Sequence, residues 1–423
     1  VTARRRSEAA GPAPASARAA AIRLALVALA LARPASGCWR DVKLLPGPPG
    51  DGDGSVDRRA ETGGPTACTD PGDPVVLLTA AGPTCAAALG ARGHRFVLCS
   101  CETMTVSARI RTDAFDSRDP TMEDDVAAAV GIGGALQSTA EIRAGGALYV
   151  AGAGGVRASD HLETTRSLRV GGPLAMLSST ADIETDAFIA GDVTGDVRVR
   201  GTLHVPTTAT VNPGAEAGAV TREPVAVPTP CDCSAGFADV AGAIAAAAAA
   251  HGDDAARFSP DALAAVTAPA RLDLPCGAFY LTGIDTGAAV TLAVHGRALL
   301  AVGGDVVLRG PVGVELDPSA ELDLLVGGRL AAAGGHTLGV PASPARFRIW
   351  IAGSSSVVLD DGPTVGAVIH APEAPLTAPG GLTLYGSLLA RTVGLGAESM
   401  LRFDRAILAA GAACGAPAAE IVP

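Results

Sequence analysis

A mainly β fold, a β-helix or solenoid of right-handed coils, is what this sequence predicts, and three observations predict it. Apolar pairs recur every 20 residues between 128 and 206. After Cys276, apolar runs ending in Gly doublets recur at a wider spacing, near positions 303, 327 and 353. The apolar content, 48% of the chain, is Ala, Val and Leu, with only 3% aromatic residues and 53 Gly. Small and β-branched side chains suit stacked coils better than a large aromatic core.

The first β region spans 128–206. Val130-Gly131, Val150-Ala151, Val170-Gly171 and Ala190-Gly191 repeat, preceded two residues earlier by Ala128, Leu148, Leu168 and Phe188. Ile142 and Leu162 keep the period, and Ile183 falls one residue out of step. One such unit cannot bury its inner face, whereas stacked units can. In the last run Val197, Val199, Leu203 and Val205 alternate and are expected to point inward. The second β region, 276–414, opens with ALLAVGG, LDLLVGG and IWIAG, ending near Gly303, Gly327 and Gly353. Each of these Gly is expected to serve a corner with positive φ.

The remaining segments frame these regions. A linker is expected at 207–230 and a short helical insertion at 231–275. In the insertion Ser234 is the expected N-cap, Phe237, Val240 and Ile244 have helical spacing, and His251-Gly252 ends the helix. Residues 67–127 hold four Cys and short strand-like runs and read as a disulfide-rich β cap. Residues 38–66, rich in Pro, Gly and Asp, read as a tether. Within it Asp51, Asp53, Ser55 and Asp57 resemble a calcium loop. Val56 and Thr62 stand where that loop needs Gly and Glu, so a solvated linker is expected.

Residues 1–37 have the parts of an export signal: Arg4, Arg5, Arg6, Arg18 and Arg23, then the apolar run Leu24 to Ala32, then Ala35-Ser36-Gly37. Ala35-Ser36-Gly37-Cys38 resembles a bacterial lipobox with Ala35 in the usual Leu position, which implies lipidation at Cys38 and a membrane anchor. The rival is ordinary cleavage and release. With Cys38 acylated, Cys68, Cys85, Cys99, Cys101, Cys231, Cys233, Cys276 and Cys414 make an even set for disulfides in an oxidising compartment. Bonding within Cys99-Ser100-Cys101 or Cys231-Asp232-Cys233 would be strained, so each is expected to pair elsewhere. A zinc site at these pairs is disfavoured by their spacing.

The chain has one Lys, Lys43, and a formal charge of −11. Removal of residues 1–37 leaves 26 basic and 42 acidic residues, a balance of −16 that excludes wrapping of nucleic acid. The chain carries no Walker loop, G-x-S-x-G, H-E-x-x-H or strand-to-helix G-x-G-x-x-G. The best chemical candidate is Asp182-Ile183-Glu184-Thr185-Asp186, whose three carboxylates would share one strand face and could hold Ca²⁺ beside Arg198 or Arg200. The favoured alternative is a solvated acidic stripe paired with those Arg on the next coil. Glu315/Asp317 and Glu321/Asp323 are expected to mark outward faces. His251 with Asp253 and Asp254 reads as a turn at a helix end.

Gly366-Ala367-Val368-Ile369-His370-Ala371-Pro372, Tyr385-Gly386-Ser387-Leu388 and Leu401-Arg402-Phe403-Asp404-Arg405-Ala406 resemble the end of an uncharacterised bacterial surface domain of PilX-like pilus-associated and predicted secreted proteins. That pattern reads G-a-x-Y-A-P, Y-G-a and H-Y-D-x-A; His370, Arg402 and Phe403 replace its Tyr, His and Tyr. The likeness covers about 276–409 and implies a β-helical domain on exported proteins, with no catalytic residues to carry over. The 128–206 repeat also resembles the bactofilin-type β-helix. The expectation is therefore a non-enzymatic scaffold of the cell envelope, a lipoprotein without cofactors, whose partner is an envelope protein or a polysaccharide. The alternative is a carbohydrate-binding or lyase-type β-helix using the acidic, calcium-binding face. Trp39, Trp350 and three Tyr leave few rings for sugar stacking.

Overall fold

A computed structural model describes residues 72–415, apart from positions 120, 122, 125–127 and 235. The expected signal, tether and calcium-like loop, with Cys38, Cys68 and Trp39, lie outside the described residues.

The chain winds a parallel β-solenoid of about 14 turns. Each regular coil gives three short strands, as in Leu148–Val150, Val156–Ala158 and Leu162–Thr164, and each strand pairs in parallel with its counterparts in the coils before and after. Alternation decides the faces. In Val193–Val205 the side chains of Val197, Val199, Leu203 and Val205 are buried while Arg198 and Arg200 are exposed.

The two β regions form one stack, in an order that reverses the sequence. The coil at 382–404 lies against the coil at 98–115, through Leu98↔Leu388, Val393↔Met104 and Leu401↔Thr112. The other side of that same coil carries Val130↔Leu98, Met104↔Leu136 and Ile110↔Ile142. One inward column therefore runs unbroken through Leu300, Leu324, Ile349, Ile369, Leu388, Leu98, Val130, Leu148 and Leu168. The expected cap at 67–127 is thus corrected: residues 98–115 are an interior coil joining the two regions. Both edges of its strands offer free backbone groups, and both are paired.

Other expectations need adjustment. The period is not a strict 20: Leu148↔Leu168 keeps it, but Val130↔Leu148 spans 18 and Leu168↔Ala187 spans 19. Phe188 consequently faces outward, opposite Arg169. The expected linker at 207–230 contains strand Glu216–Arg222, which pairs with Val193–Val205 in the last coil. Of the corner glycines, only Gly353 has positive φ, at 65°. Gly327 and Gly328 answer to close approach instead. A Cβ on Gly327 would sit 2.6 Å from the Gly303 carbonyl, and one on Gly328 2.8 Å from the Asp305 backbone N.

From the last coil the chain returns along the outside of the stack. Residues 223–239 lead to helix α2 (Val240–Ala249) and helix α3 (Asp253–Ala256), which precedes the first coil. Helix α2 starts at Val240 rather than near Ser234, because the Asp239 carboxylate accepts the Gly242 N–H at 2.8 Å. Together with the hairpin Val76–Thr79/Gly82–Cys85 and helix α1 (Ala86–Gly93), α2 covers the outer face of the 277–351 coils. Leu77, Leu89, Phe237, Val240 and Ile244 bury Ala301, Leu325 and Trp350 there.

Disulfides hold this arrangement. Cys99–Cys231 and Cys101–Cys233 join the two Cys-x-Cys pairs to each other, and Cys85–Cys414 ties the start of α1 to the C-terminal turn. Cys276 is also disulfide-bonded. The bridges therefore do not staple an N-terminal subdomain to itself. The three with both partners described tie residues 85–101 to residues 231–414. Among the described residues, no helix is long and apolar enough to cross a membrane.

Candidate functional site

Two places gather chemically capable side chains. The first is the charged face of the last coils. Parallel register sets Glu163 beside Asp182 and Asp182 beside Arg198. Asp182 lies 3.8 Å from Arg198 and 3.6 Å from His161; Glu184 meets Arg200 at 2.6 Å. Asp186 turns a corner instead and accepts the Thr202 N–H at 2.7 Å. The three carboxylates proposed as a calcium site are thus each engaged by a different group on the adjacent coil. No cluster of three or more His, Cys, Asp or Glu able to hold a metal occurs among the described residues. Around Asp182 and Glu184 a groove of about 540 Å³ is lined by both signs of charge, including Arg198, Arg200 and Glu216.

The ladder continues to earlier coils, where Glu141 accepts from Arg143 and Arg109. The Arg143 hydrogen bond, helped by Arg109, holds the Glu141 carboxyl below its ordinary range.

The second place is the seam between cover and solenoid. Glu321 and Asp323, expected on an outward face, do point away from the core, but Asp323 is buried under the cover and Glu321 is partly buried at its edge. Asp323 is 0% exposed and accepts two bonds from Arg348 at 2.7 Å and one from Trp350 Nε1 at 2.9 Å. Arg348 also donates to Glu321 at 2.7 Å. Burial alone would lower the Arg348 guanidinium, yet the adjacent Asp323 carboxylate raises it. Burial likewise works to raise Glu321, and the charge of Arg348 brings it below its usual value.

Next to this network a buried chain of hydrogen bonds links two histidines. Ser387 donates to the Phe96 carbonyl at 2.6 Å, His94 Nδ1 lies 2.9 Å from the Ser387 hydroxyl, and His370 Nδ1 lies 3.3 Å from His94 Nε2. His370 stacks on Phe237, with ring centroids 4.6 Å apart. Burial pushes His370 down to about 3, and burial first, then the neighbouring His370, holds His94 well below the usual imidazole range. Both rings are therefore neutral. Reasoning from sequence missed this pair, because 276 residues separate two single His. The available signal was His370 itself, a polar residue inside the apolar run GAVIHAP.

Farther along the same outer column, Arg169 lies over Phe188 at 4.1 Å and over Tyr149 at 5.8 Å, and Phe188 stacks on His204 at 4.3 Å. His251 pairs with Asp253 at 3.0 Å beside the short helix α3, in agreement with a turn.

The profile "Domain of unknown function (DUF7305)" matches residues 234–409. That stretch runs from the return segment through the coils up to the joint with residues 98–115. No curated protein and no solved structure matches the chain. The three motifs read in the sequence all lie in this stretch. The first two lie on strands Thr364–Ala378 and Leu382–Leu395; the third begins on Ser399–Asp404 and continues into the turn after it. Their residues build the joint. Arg402 donates to Asp113 at 2.7 Å and lies over Phe115 and Tyr385, while Asp404 accepts from the Ser117 N–H at 3.0 Å and the Ser117 hydroxyl at 2.8 Å.

Proposed function

We propose that the protein is a non-enzymatic scaffold of the bacterial cell envelope, exported, anchored through a lipid on Cys38, with a C-terminal domain of the kind found in PilX-like pilus-associated and predicted secreted proteins. The observation that carries this reading is the uninterrupted stack of about 14 turns. At the spacing of paired strands it makes a rod of about 65 Å with long flat faces for a partner. The disulfides from residues 85–101 to residues 231–414 add support, since such bonds persist in oxidising compartments. The test is intact mass and detergent partitioning in a bacterial host, beside Cys38→Ser. A diacylglyceryl mass on a chain starting at Cys38, lost with the detergent partitioning in the variant, upholds the anchor. An unlipidated, soluble wild type rejects it.

A second reading, a binder or lyase of acidic polysaccharide, is favoured by the groove at Arg198 and Arg200, whose side chains are more than half exposed. Alanine at Asp182, Glu184 and Asp186 separates the two: a lyase loses turnover, and a scaffold keeps its fold and its partner.

A further inference from the structure

The two ends of the stack are finished differently. At the first coil the inward residues Leu263, Leu272 and Leu274 are buried. Ala256 of α3 and Phe258 pack against the core, with the Phe258 and Phe279 rings 5.9 Å apart. At the last coil one inward column ends in Val220, which lies opposite Leu203. Leu203 is 0% exposed and Val220 is 53% exposed. Val211 and Ala217, opposite the buried Val193 and Val199, are only partly covered. The apolar core is therefore open to water at this end.

The backbone is open there too. Strand Glu216–Arg222 pairs with Val193–Val205 along one edge, and no described backbone group bonds to the other. An edge of this kind is a template for a further strand. One plane thus offers an apolar inner column and a row of backbone donors and acceptors, the two things each interior coil gives its neighbour.

What matches such a surface is a second coil of the same outline. Two identical ends face each other only when one copy is turned over, which reverses its winding, so that strand meets strand antiparallel. Charge favours that meeting. Glu216 and Arg222 stand exposed at opposite ends of the strand. Reversal sets the acidic end of each copy beside the basic end of the other, and opposite charges across a strand pair are stabilising. We propose that this end joins two copies of the chain about a twofold axis across residues 216–222, with Val220 of each copy covered by the core of the other. The covered first end does not offer the same contact, so the assembly closes at two rather than growing into a filament. The surface lies outside the matched residues 234–409 and does not depend on the anchor.

The test uses the full disulfide-bonded chain carrying Cys38→Ser, so that no lipid gathers the copies, in sedimentation equilibrium and small-angle X-ray scattering. The expected result is a reversible monomer–dimer equilibrium without larger species, and a dimer roughly twice as long as the protomer. Val220→Lys puts a charge into the joined core and weakens the dimer about tenfold or more. Leu177→Lys, at a residue about as exposed but two coils back, leaves it intact. Glu216→Arg and Arg222→Glu each weaken it about threefold, and the two together restore it, because the swap again sets opposite charges side by side. If Arg222→Glu fails to fold, Val220→Lys and the length of the dimer decide. A monomer at high micromolar concentration, a dimer no longer than the protomer, growth into filaments, or a dimer indifferent to Val220→Lys overturns the proposal. So does a monomer whose amides at 216–222 exchange slowly, which would assign the edge to residues 1–71 of the same chain.

Discussion

The coils between 270 and 351 and those between 130 and 205 belong to one stack, yet they are built differently. The former use strands such as Arg297–Val302 and Glu321–Val326, buried almost throughout. The latter mostly use three-residue strands such as Ile142–Ala144 and Val156–Ala158, which alternate buried and exposed. The inner columns are alike; the difference lies outside. Where α1 and α2 cover the solenoid, outward positions are Ala301, Leu325 and Trp350, and the strand reads as an unbroken apolar run. Where water covers it, outward positions are Arg157, Glu163 and Arg198. Strand composition therefore reports what lies over the coil as much as what lies under it.

The comparison is tested first at Arg348. Its replacement by Ala leaves Asp323 buried without its cation and Glu321 with Arg297 alone, an expected loss of about 3–5 kcal/mol in urea unfolding. Arg348→Met with Asp323→Leu and Glu321→Leu should recover much of it, since an apolar seam carries no uncompensated charge. Next in size, Cys99→Ser with Cys231→Ser should cost about 2–5 kcal/mol and free the return segment to proteolysis.

Acid offers the third test. His94 and His370 have folded values below their unfolded ones, so the unfolded chain binds more protons. Their contribution is intact above about pH 6.5 and is lost as pH falls toward 3, where His370 itself takes a proton. Urea midpoints at pH 7 and pH 4 should differ, and His370→Phe should narrow the difference; an unchanged difference removes the histidines from the account. Smallest of all, Glu184→Ala or Arg200→Ala on the wet face should cost about 0–1 kcal/mol, less in high salt. A large loss there would erase the contrast between the two regions.

Much of the coil geometry was legible in the residues. Val197, Val199, Leu203 and Val205 announce their inward face by alternation, and Asp182 and Glu184 find the arginines that the next run offers. Period alone could not locate the joint. Leu98 meets Leu388 across 290 positions, and any coil with an apolar inner face satisfies the same pattern. The slips of two residues at 130–148 and one at 168–187 were hidden for a related reason, because a corner absorbs a residue or two without changing the apolar sequence on either side. The His94–His370 seam was out of reach because its meaning comes from a cover assembled from segments far apart in the chain.

The interior position of residues 98–115 bears on the order in which the protein is made. This coil leaves the ribosome before either of its neighbours. One edge can be occupied as soon as residues 128–144 follow, so growth toward the 216–222 end can keep pace with synthesis. The opposite edge stays vacant until residues 382–404 arrive, after every other coil of the stack. Until then the solenoid grown from residues 98–115 keeps one raw edge, sealed only when the coil at 382–404 slides beneath it.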